Sequence, residues 1–567
     1  MALCVKFKRF REEIVWLHSL TKLLLGIRNN TRTTDEKILE DLIRMGFENE
    51  YTLKNYLKSK DERIFHESYE KALKDIKSRF GKKYSMIING KHYNSSETFI
   101  DTSPIDKRIR LGYFPLATSK HVRTAIKAAK TAFEKWGKAN YESRIDICYT
   151  AADIISKRKF ELAAWISYEN GKNRYEAIAD VDEAIDFIRY YSKEMERNKG
   201  FAVQTKNAGS NERSKSLMKP YGVWAVISPF NFPFAILAGM SIAVIVTGNT
   251  VVLKPASDTP IIGSLFVEIM KKAGLPDGVL NLVTGSGGKI GKAIVASRDV
   301  AGIVFTGSKM VGHKIMEDSS NVIPRPVIAE LGGKNPVIVT ENADINKAAE
   351  GIIKAAFGYS GQKCSACSRV YVQKNIKKLL MQKLVEKTRN FSIGNPLDQD
   401  VFMGPLINLN AYTNYQKFAK IAFRDGRVIF GGTVNRQGNL KHGYYVEPTI
   451  VEDLPKSHML FKEELFVPIL CIAAYKDFDE ALKLCNESEY GLTSGIYSTK
   501  KEEIDRFLDN SKSGVVYVNR TASATTGAMV GSQPFGGWKD SGTTGKGAGG
   551  PYYLTQFLRE QSQTVVT

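Results

Sequence analysis

Apolar positions follow two different rhythms along this chain. From Glu36 to Tyr56 they recur at helical spacing, with Ile38, Leu39, Leu42, Ile43 and Met45 set between charges. A second such pattern runs from Asp61 to Phe80. Residues 1–85 therefore read as a helical extension that packs and does no chemistry. A strand and turn open at Met86-Ile87-Ile88-Asn89-Gly90-Lys91. Helices are expected over 119–136, with Ser119 as N-cap, over 143–169, and over Asp180–Glu196, whose apolar side carries Ile185, Phe187, Ile188 and Tyr191.

The rhythm then changes to alternating short strands and helices. Val223–Ile227, Thr250–Leu253, Leu280–Val283 and Gly302–Phe305 are apolar strand runs. Phe234–Val246, Ile261–Ala273 and Lys289–Ala296 are the helices between them. Repeated β-α units of this length imply an α/β chain with a doubly wound, Rossmann-type sheet. Trp224–Leu253 is the most apolar region, but Pro229, Asn231, Pro233, Gly239 and Asn249 interrupt it, so no membrane partner is expected. Gly285-Ser286-Gly287-Gly288-Lys289-Ile290-Gly291 follows a strand, yet Ile290 stands where the dinucleotide motif needs its third glycine.

At 567 residues the chain holds two or more domains. Six widely scattered cysteines do not form a disulfide framework and suit a reducing compartment, the cytoplasm or, in a eukaryote, the mitochondrial matrix. The basic Met1–Arg11 segment meets Glu12 and Glu13 and lacks a signal-peptide core. The net charge of +21 raises the question of nucleic acid. Residues 1–90 hold 19 Lys/Arg against 13 Asp/Glu, and the remaining excess is spread along the chain. With no zinc-finger spacing or RNA-binding signature, it reads as a solvated basic surface that draws in anions, and no nucleic-acid partner is expected.

Two compact stretches carry candidate chemistry. Phe357-Gly358-Tyr359-Ser360-Gly361-Gln362-Lys363-Cys364 lies between a helical pattern, Ile345–Phe357, and a strand run, Val370-Tyr371-Val372. A thiol on a short loop between regular elements can both react and be aimed. Cys364 and Cys367 form a Cys-x-x-Cys pair, but no second pair exists for zinc and no thioredoxin-like unit surrounds it; Cys367 reads as a packed neighbour. Glu330 stands 34 residues before Cys364, ending an apolar run just ahead of Leu331-Gly332-Gly333-Lys334. It is the candidate general base. No His–carboxylate ligand cluster is evident in the sequence, and no metal is expected.

Gly361-Gln362-Lys363-Cys364 and Glu330–Lys334, in this order and separation, resemble the aldehyde dehydrogenase superfamily over about residues 85–567. The resemblance implies a Rossmann-type NAD domain (86–330), a catalytic α/β domain (331–534), a C-terminal return (535–567) and small oligomerisation strands, including about 199–219. It implies Cys364 as nucleophile, Glu330 as base and Asn231 as oxyanion donor. For the cofactor it implies the Ser228-Pro229-Phe230 loop, Lys254, Ser257, Gly307 and Ser308 at the diphosphate, Leu331, Glu464 on the nicotinamide ribose and Phe466 beside the ring. Val467 departs from the family's Gly. Ser257 stands where NAD-selective relatives often carry Glu, so NAD is expected and NADP stays open.

Asn519–Gly537, containing Thr526-Gly527-Ala528, resembles the L-glutamate γ-semialdehyde (1-pyrroline-5-carboxylate) dehydrogenases of that superfamily. By that match the N–H groups of Gly527 and Ala528, with Ser365, would hold the substrate α-carboxylate, and Phe232 and Phe535 would flank its chain. The alternatives are another semialdehyde dehydrogenase, such as one for succinate semialdehyde, and a non-catalytic nucleotide-fold binding protein. A proline dehydrogenase needs a barrel of about 250 residues, so it would be a separate chain. Lys199–Met218, Tyr552-Tyr553-Leu554 and Ser562–Val566 are expected to be pairing edges of a homo-oligomer.

Overall fold

Two seven-stranded sheets, joined by a short crossing of the chain, organise the computed structural model. It describes residues 62–521 and 529–567, together with residues 48 and 52. The expected helix Glu36–Tyr56 lies almost wholly outside the described residues, and Gly527 and Ala528 lie outside them altogether.

The first sheet contains strands Met86–Ile88 (β1), Lys91–Tyr93 (β2), Val223–Ile227 (β3), Thr250–Lys254 (β4), Leu280–Leu282 (β5), Val300–Thr306 (β6) and Val327–Glu330 (β7), in the order β7-β6-β3-β4-β5-β1-β2. The five strands from β7 to β5 are parallel, and the β1–β2 hairpin adds an antiparallel edge. Every residue of β3 and β4 is buried, which is why these strands are almost continuous apolar runs. The chain builds outward from β3 through β4 to β5, then returns to place β6 on the other side of β3. This reversal opens a crevice at the carboxyl ends of β3 and β6. Helix Ala235–Val246, apolar on all sides, is buried with the apolar face of helix Arg174–Arg197 in one core.

After Glu330 the chain crosses to the second sheet: Asn335–Val339 (β8), Cys367–Gln373 (β9), Arg427–Phe430 (β10), Thr449–Glu452 (β11), Ile469–Tyr475 (β12), Thr493–Tyr497 (β13) and Val515–Val518 (β14). Its order is β10-β11-β12-β9-β8-β13-β14, parallel except at β10. A separate antiparallel sheet joins Ala202–Gln204, Glu212–Pro220 and Leu558–Val566, and Val203, Val565 and Val566 are exposed on it.

Three local expectations change. The N-cap of helix Ser119–Trp136 is Thr118, whose hydroxyl accepts the His121 N–H while the His121 ring returns a bond to the Thr118 N–H; Ser119 already lies in the helix. The helix expected over 143–169 is two helices, Tyr141–Lys157 and Lys159–Asn170, separated at Arg158, where φ is −107° and ψ 11°. Tyr553 and Leu554 form no pairing edge. Both are buried, with Tyr553 stacked on Tyr191 at 5.4 Å, because this segment packs into the core before Leu558 starts its strand.

Helix Glu62–Lys77 packs more tightly than an appendage would. Phe65, Tyr69, Leu73 and Ile76 are buried. Phe65 meets Phe160 at 5.8 Å, and the Tyr69 hydroxyl donates to the Ala163 carbonyl at 3.0 Å. Phe65→Ala is expected to cost about 3–5 kcal/mol, read as an earlier unfolding midpoint in urea. An unchanged midpoint would show the helix to be dispensable.

Candidate active site

The Cys364 loop is held from several directions. Helix Ile345–Phe357 starts on Asp344, whose carboxylate accepts the Asn346 and Lys347 N–H groups. It runs into the turn Gly358–Gly361, where Tyr359 and Ser360 adopt left-handed backbone, with φ of 48° and 54°. Surrounding bonds hold this unfavourable conformation. The Tyr359 hydroxyl donates to the Asn170 carbonyl at 3.0 Å, and the Ser360 hydroxyl to the Gly404 carbonyl at 2.7 Å. Gln362 accepts the Ile407 N–H at 2.8 Å and donates back to the Tyr359 carbonyl at 3.3 Å.

Cys364 follows, three residues before β9, packed with Leu492, Val515 and Phe535. Burial pushes its thiol up to about 12, helped by the charges of Glu464 and Glu330 and opposed by the N–H groups of Ser365 and Cys364 itself. Those N–H groups favour the thiolate. The Cys364 carbonyl accepts from the Asn335 side-chain amide at 2.7 Å. The same amide reaches the Ala366 carbonyl at 2.9 Å, and its oxygen accepts the Thr493 N–H at 3.0 Å.

Glu330 ends β7 and enters the same pocket. One carboxyl oxygen accepts the Gly537 N–H at 3.0 Å, and burial raises its pKa to about 8. The next turn shows why two glycines are needed. A Cβ on Gly332 would lie 2.2 Å from a Glu464 carboxyl oxygen, and one on Gly333 would lie 2.3 Å from the Cys364 carbonyl oxygen. Glu464 accepts the Gly333 N–H at 2.9 Å; burial raises its pKa to about 7, against the opposing charge of Lys334. Lys334 is itself buried without a hydrogen-bond partner.

Asn231 is buried in the loop that leaves β3. Its side-chain oxygen accepts the Phe232 N–H at 3.1 Å, which leaves the amide NH2 as the free end. The Phe232 ring lies over a buried ion pair, Lys172–Asp180. Ser365 is fully buried and its hydroxyl has no partner. Lys363, next to the nucleophile, pairs with Glu176 at 2.8 Å. Glu183, one turn beyond Asp180 on the same helix, has its pKa raised to about 8, by burial and then by the neighbouring Asp180 charge. Sequence reading passed over Asn335, Lys172, Glu176, Asp180 and Glu183. The three acids sit seven residues apart at most, at positions i, i+4 and i+7 of helix Arg174–Arg197, and such a stripe reads as a solvated face until the partner surface is known.

Of the residues expected at a cofactor, Ser228 follows β3, Lys254 ends β4 and Gly307 follows β6, all at the carboxyl ends of the parallel strands. The Ser228 hydroxyl is buried and unpartnered. The Lys254 ammonium is buried, donates only to the Pro255 carbonyl at 3.0 Å, and has its pKa lowered to about 8 by burial. The Ser257 hydroxyl donates to the Gly285 carbonyl at 3.1 Å and keeps its lone pairs. Phe230 and Phe466 meet edge to face at 5.8 Å. These unspent donors and the aromatic pair fit a dinucleotide. One expected donor does not: the Gly307 N–H is committed to the Glu330 carbonyl at 3.1 Å, since β6 and β7 still pair there. Ser308 caps helix Lys309–Ser320, its hydroxyl accepting the Val311 N–H. Val467 is also explained. The left-handed residue in its motif is Phe466, with φ of 56°, so position 467 does not require glycine.

Asn335→Ala would strand the carbonyls on either side of Ser365. We expect a loss of about 1–3 kcal/mol in urea unfolding and faster alkylation of Cys364 by iodoacetamide. An unaltered alkylation rate would mean that Asn335 does not order the loop.

Residues 92–563 match the Aldehyde dehydrogenase family. The chain is 40% identical over 505 residues to 1-pyrroline-5-carboxylate dehydrogenase of Geobacillus kaustophilus (strain HTA426), covering 88% of this chain and 96% of that protein. The crystal structure of the Thermus 1-pyrroline-5-carboxylate dehydrogenase with bound NAD superimposes with a TM-score of 0.85 at 34% identity, over 90% of this chain and 97% of that one. Proline utilization A (PutA) from Bdellovibrio bacteriovorus also gives 0.85, at 36% identity; the match covers 88% of this chain and 52% of that one. With a family match over most of its length and relatives at about 40% identity, the chain belongs to the aldehyde dehydrogenase family.

Proposed function

We propose that this chain oxidises L-glutamate γ-semialdehyde, the open form of 1-pyrroline-5-carboxylate, to L-glutamate with NAD. The observation that carries the chemistry is a buried Cys364 thiol close enough to the Glu330 carboxyl to feel its charge, with the Asn231 amide unspent. The substrate comes from the relatives that bear its name over most of their length.

Cys364 passes its proton to the Glu330 carboxylate, which gives it up to solvent, and the thiolate attacks the aldehyde carbon, forming the S–C bond of a thiohemiacetal while the carbonyl π pair moves to oxygen. The Asn231 NH2 and the Cys364 N–H receive the oxyanion; one such donor is worth roughly 3 kcal/mol. NAD, when bound, would accept the hydride that leaves this adduct as a thioester. Lys254, Ser257, Ser308, Glu464 and Phe466 are the residues that would hold it. Glu330 takes a proton from water, the water attacks the thioester carbon, and the C–S bond breaks to release the acid and restore the thiol. The free Ser365 hydroxyl supports recognition of the α-carboxylate, with Gly527 and Ala528 as its proposed backbone donors. Phe232 and Phe535 border the aliphatic part. Ser257 brings no charge against a 2′-phosphate, so slower use of NADP belongs to the same reading.

A proline dehydrogenase would supply the aldehyde. The exposed sheet of Ala202–Gln204, Glu212–Pro220 and Leu558–Val566 is the proposed subunit-pairing edge. All described cysteines are free, which suits the cytoplasm or a mitochondrial matrix. No described helix is long and apolar enough to cross a membrane.

NADH formation with L-1-pyrroline-5-carboxylate is expected for the intact chain and absent for Cys364→Ala. Turnover of succinate semialdehyde with none of the glutamate aldehyde would keep the mechanism and replace the substrate. The pH dependence has a definite sign. Glu330 works only as a carboxylate and its pKa is raised to about 8, so hydrolysis-limited kcat should climb from pH 7 to 9 and then level. Glu330→Gln should lower kcat about 10²–10⁴-fold and flatten this rise. A profile that falls over the same range would remove Glu330 from the role of base.

A further inference from the structure

Beneath the aldehyde pocket lies an ion pair that the reaction itself does not use. Lys172 and Asp180 are both about 1% exposed, with Nζ and Oδ2 2.8 Å apart. The Lys172 ammonium also stands 3.8 Å from the centre of the Phe232 ring and 5.2 Å from that of Tyr359. The other Asp180 oxygen accepts the N–H of Ala235 at 2.7 Å, where the helix after the Asn231 loop begins. Asn170, two residues before Lys172, completes the grip. Its side chain accepts the Lys172 N–H at 3.1 Å and donates to the Phe230 carbonyl at 3.3 Å, while its own carbonyl receives the Tyr359 hydroxyl at 3.0 Å.

The loop that carries Asn231 and Phe232 is thus held at Phe230, at the Phe232 ring and at Ala235. All three holds come from Asn170, Lys172 and Asp180, which also reach the nucleophile loop through Tyr359. A buried ion pair is a poor source of stability, because desolvation offsets most of its attraction. An ammonium against a ring face is strongly directional when water is excluded.

We propose that Lys172 is a positioning residue for aldehyde oxidation: its ammonium, paired with Asp180, fixes the Phe232 ring and so sets the Asn231 amide and the aldehyde chain relative to Cys364. This rests on the thiol mechanism proposed above and deepens it. It predicts an effect on aldehyde turnover that leaves cofactor binding alone, since Lys172 bonds to neither the Lys254 turn nor Glu464.

The test is a double-mutant cycle on the full chain with saturating NAD, using L-1-pyrroline-5-carboxylate and butanal. Lys172→Met should lower kcat/KM for the aldehyde by roughly ten- to thirtyfold, the range of a desolvated cation–π contact, with KM for NAD unchanged. Lys172→Arg should recover most of the loss. In a Phe232→Leu background Lys172→Met should cost less than about threefold more. Replacing Phe232 with mono-, di- and trifluorophenylalanine needs no change at the buried pair, so it serves even if Lys172→Met does not fold; kcat/KM should fall stepwise with fluorination. Equal losses in both backgrounds, a parallel rise in KM for NAD, or a flat fluorination series would each overturn the proposal. If the intact chain oxidises butanal and not L-1-pyrroline-5-carboxylate, the substrate reading fails, and the Lys172 proposal is decided on butanal.

Discussion

Everything at this site depends on the close approach of two stretches of main chain, Gly332-Gly333 and Cys364-Ser365-Ala366. A Cβ on Gly333 would meet the Cys364 carbonyl oxygen, and one on Gly332 would meet the Glu464 carboxyl. Asn335 closes the contact by donating to the carbonyls of Cys364 and Ala366, and it ties both to β13 through Thr493. Because this segment is also the crossing from the first sheet to the second, the contact fixes how the end of β7 meets the start of β9. Glu330 lies on one side of the crossing and Cys364 on the other. Glu330 and Cys364, 34 residues apart in sequence, are thereby set by five residues of backbone.

The electrostatics follow from that crowding. Cys364, Glu330 and Glu464 each hold their protons more tightly than in water, and burial is the largest cause for all three. Each negative charge that appears raises the cost of the next, as the effect of both glutamates on the thiol shows. The resting pocket therefore favours few charges. Lys334 tempers this for Glu464 alone, from a site where its ammonium finds no hydrogen bond. Local N–H groups at Cys364 and Ser365 are what remain to favour a thiolate.

The parallel sheet of β3 to β6 was legible because strands buried on both faces are written as unbroken apolar runs, and because glycine and proline mark the turns between them. The Cys364 and Glu330 stretches were legible as motifs, though not the reason for their spacing. That reason is the Gly333 approach and the Asn335 amide, and both depend on residues distant in sequence. The same holds for Gly307: a glycine at a helix start reads as an anion donor, but its N–H goes to the Glu330 carbonyl once β6 and β7 pair. Arg158 carries no breaker that would divide a helix, and Tyr553 carries nothing to separate a buried ring from an exposed edge. Partners on other elements decide both.

Those partners also give the N-terminal helix its connection to the chemistry. Arg174, almost wholly buried, begins the helix whose face carries Glu176, Asp180 and Glu183. Its guanidinium donates to the Leu397 carbonyl at 2.7 Å, pairs with Glu70, meets the His66 ring at 3.3 Å and lies over the Tyr69 ring at 5.2 Å. Three of these four partners belong to helix Glu62–Lys77. Interiors packed to crystal-like density transmit such constraints rather than absorb them. The segment that looked like an addition to the enzyme thus anchors the first turn of the helix behind the aldehyde pocket, and its packing and the placing of Asp180 under Phe232 are parts of one structure.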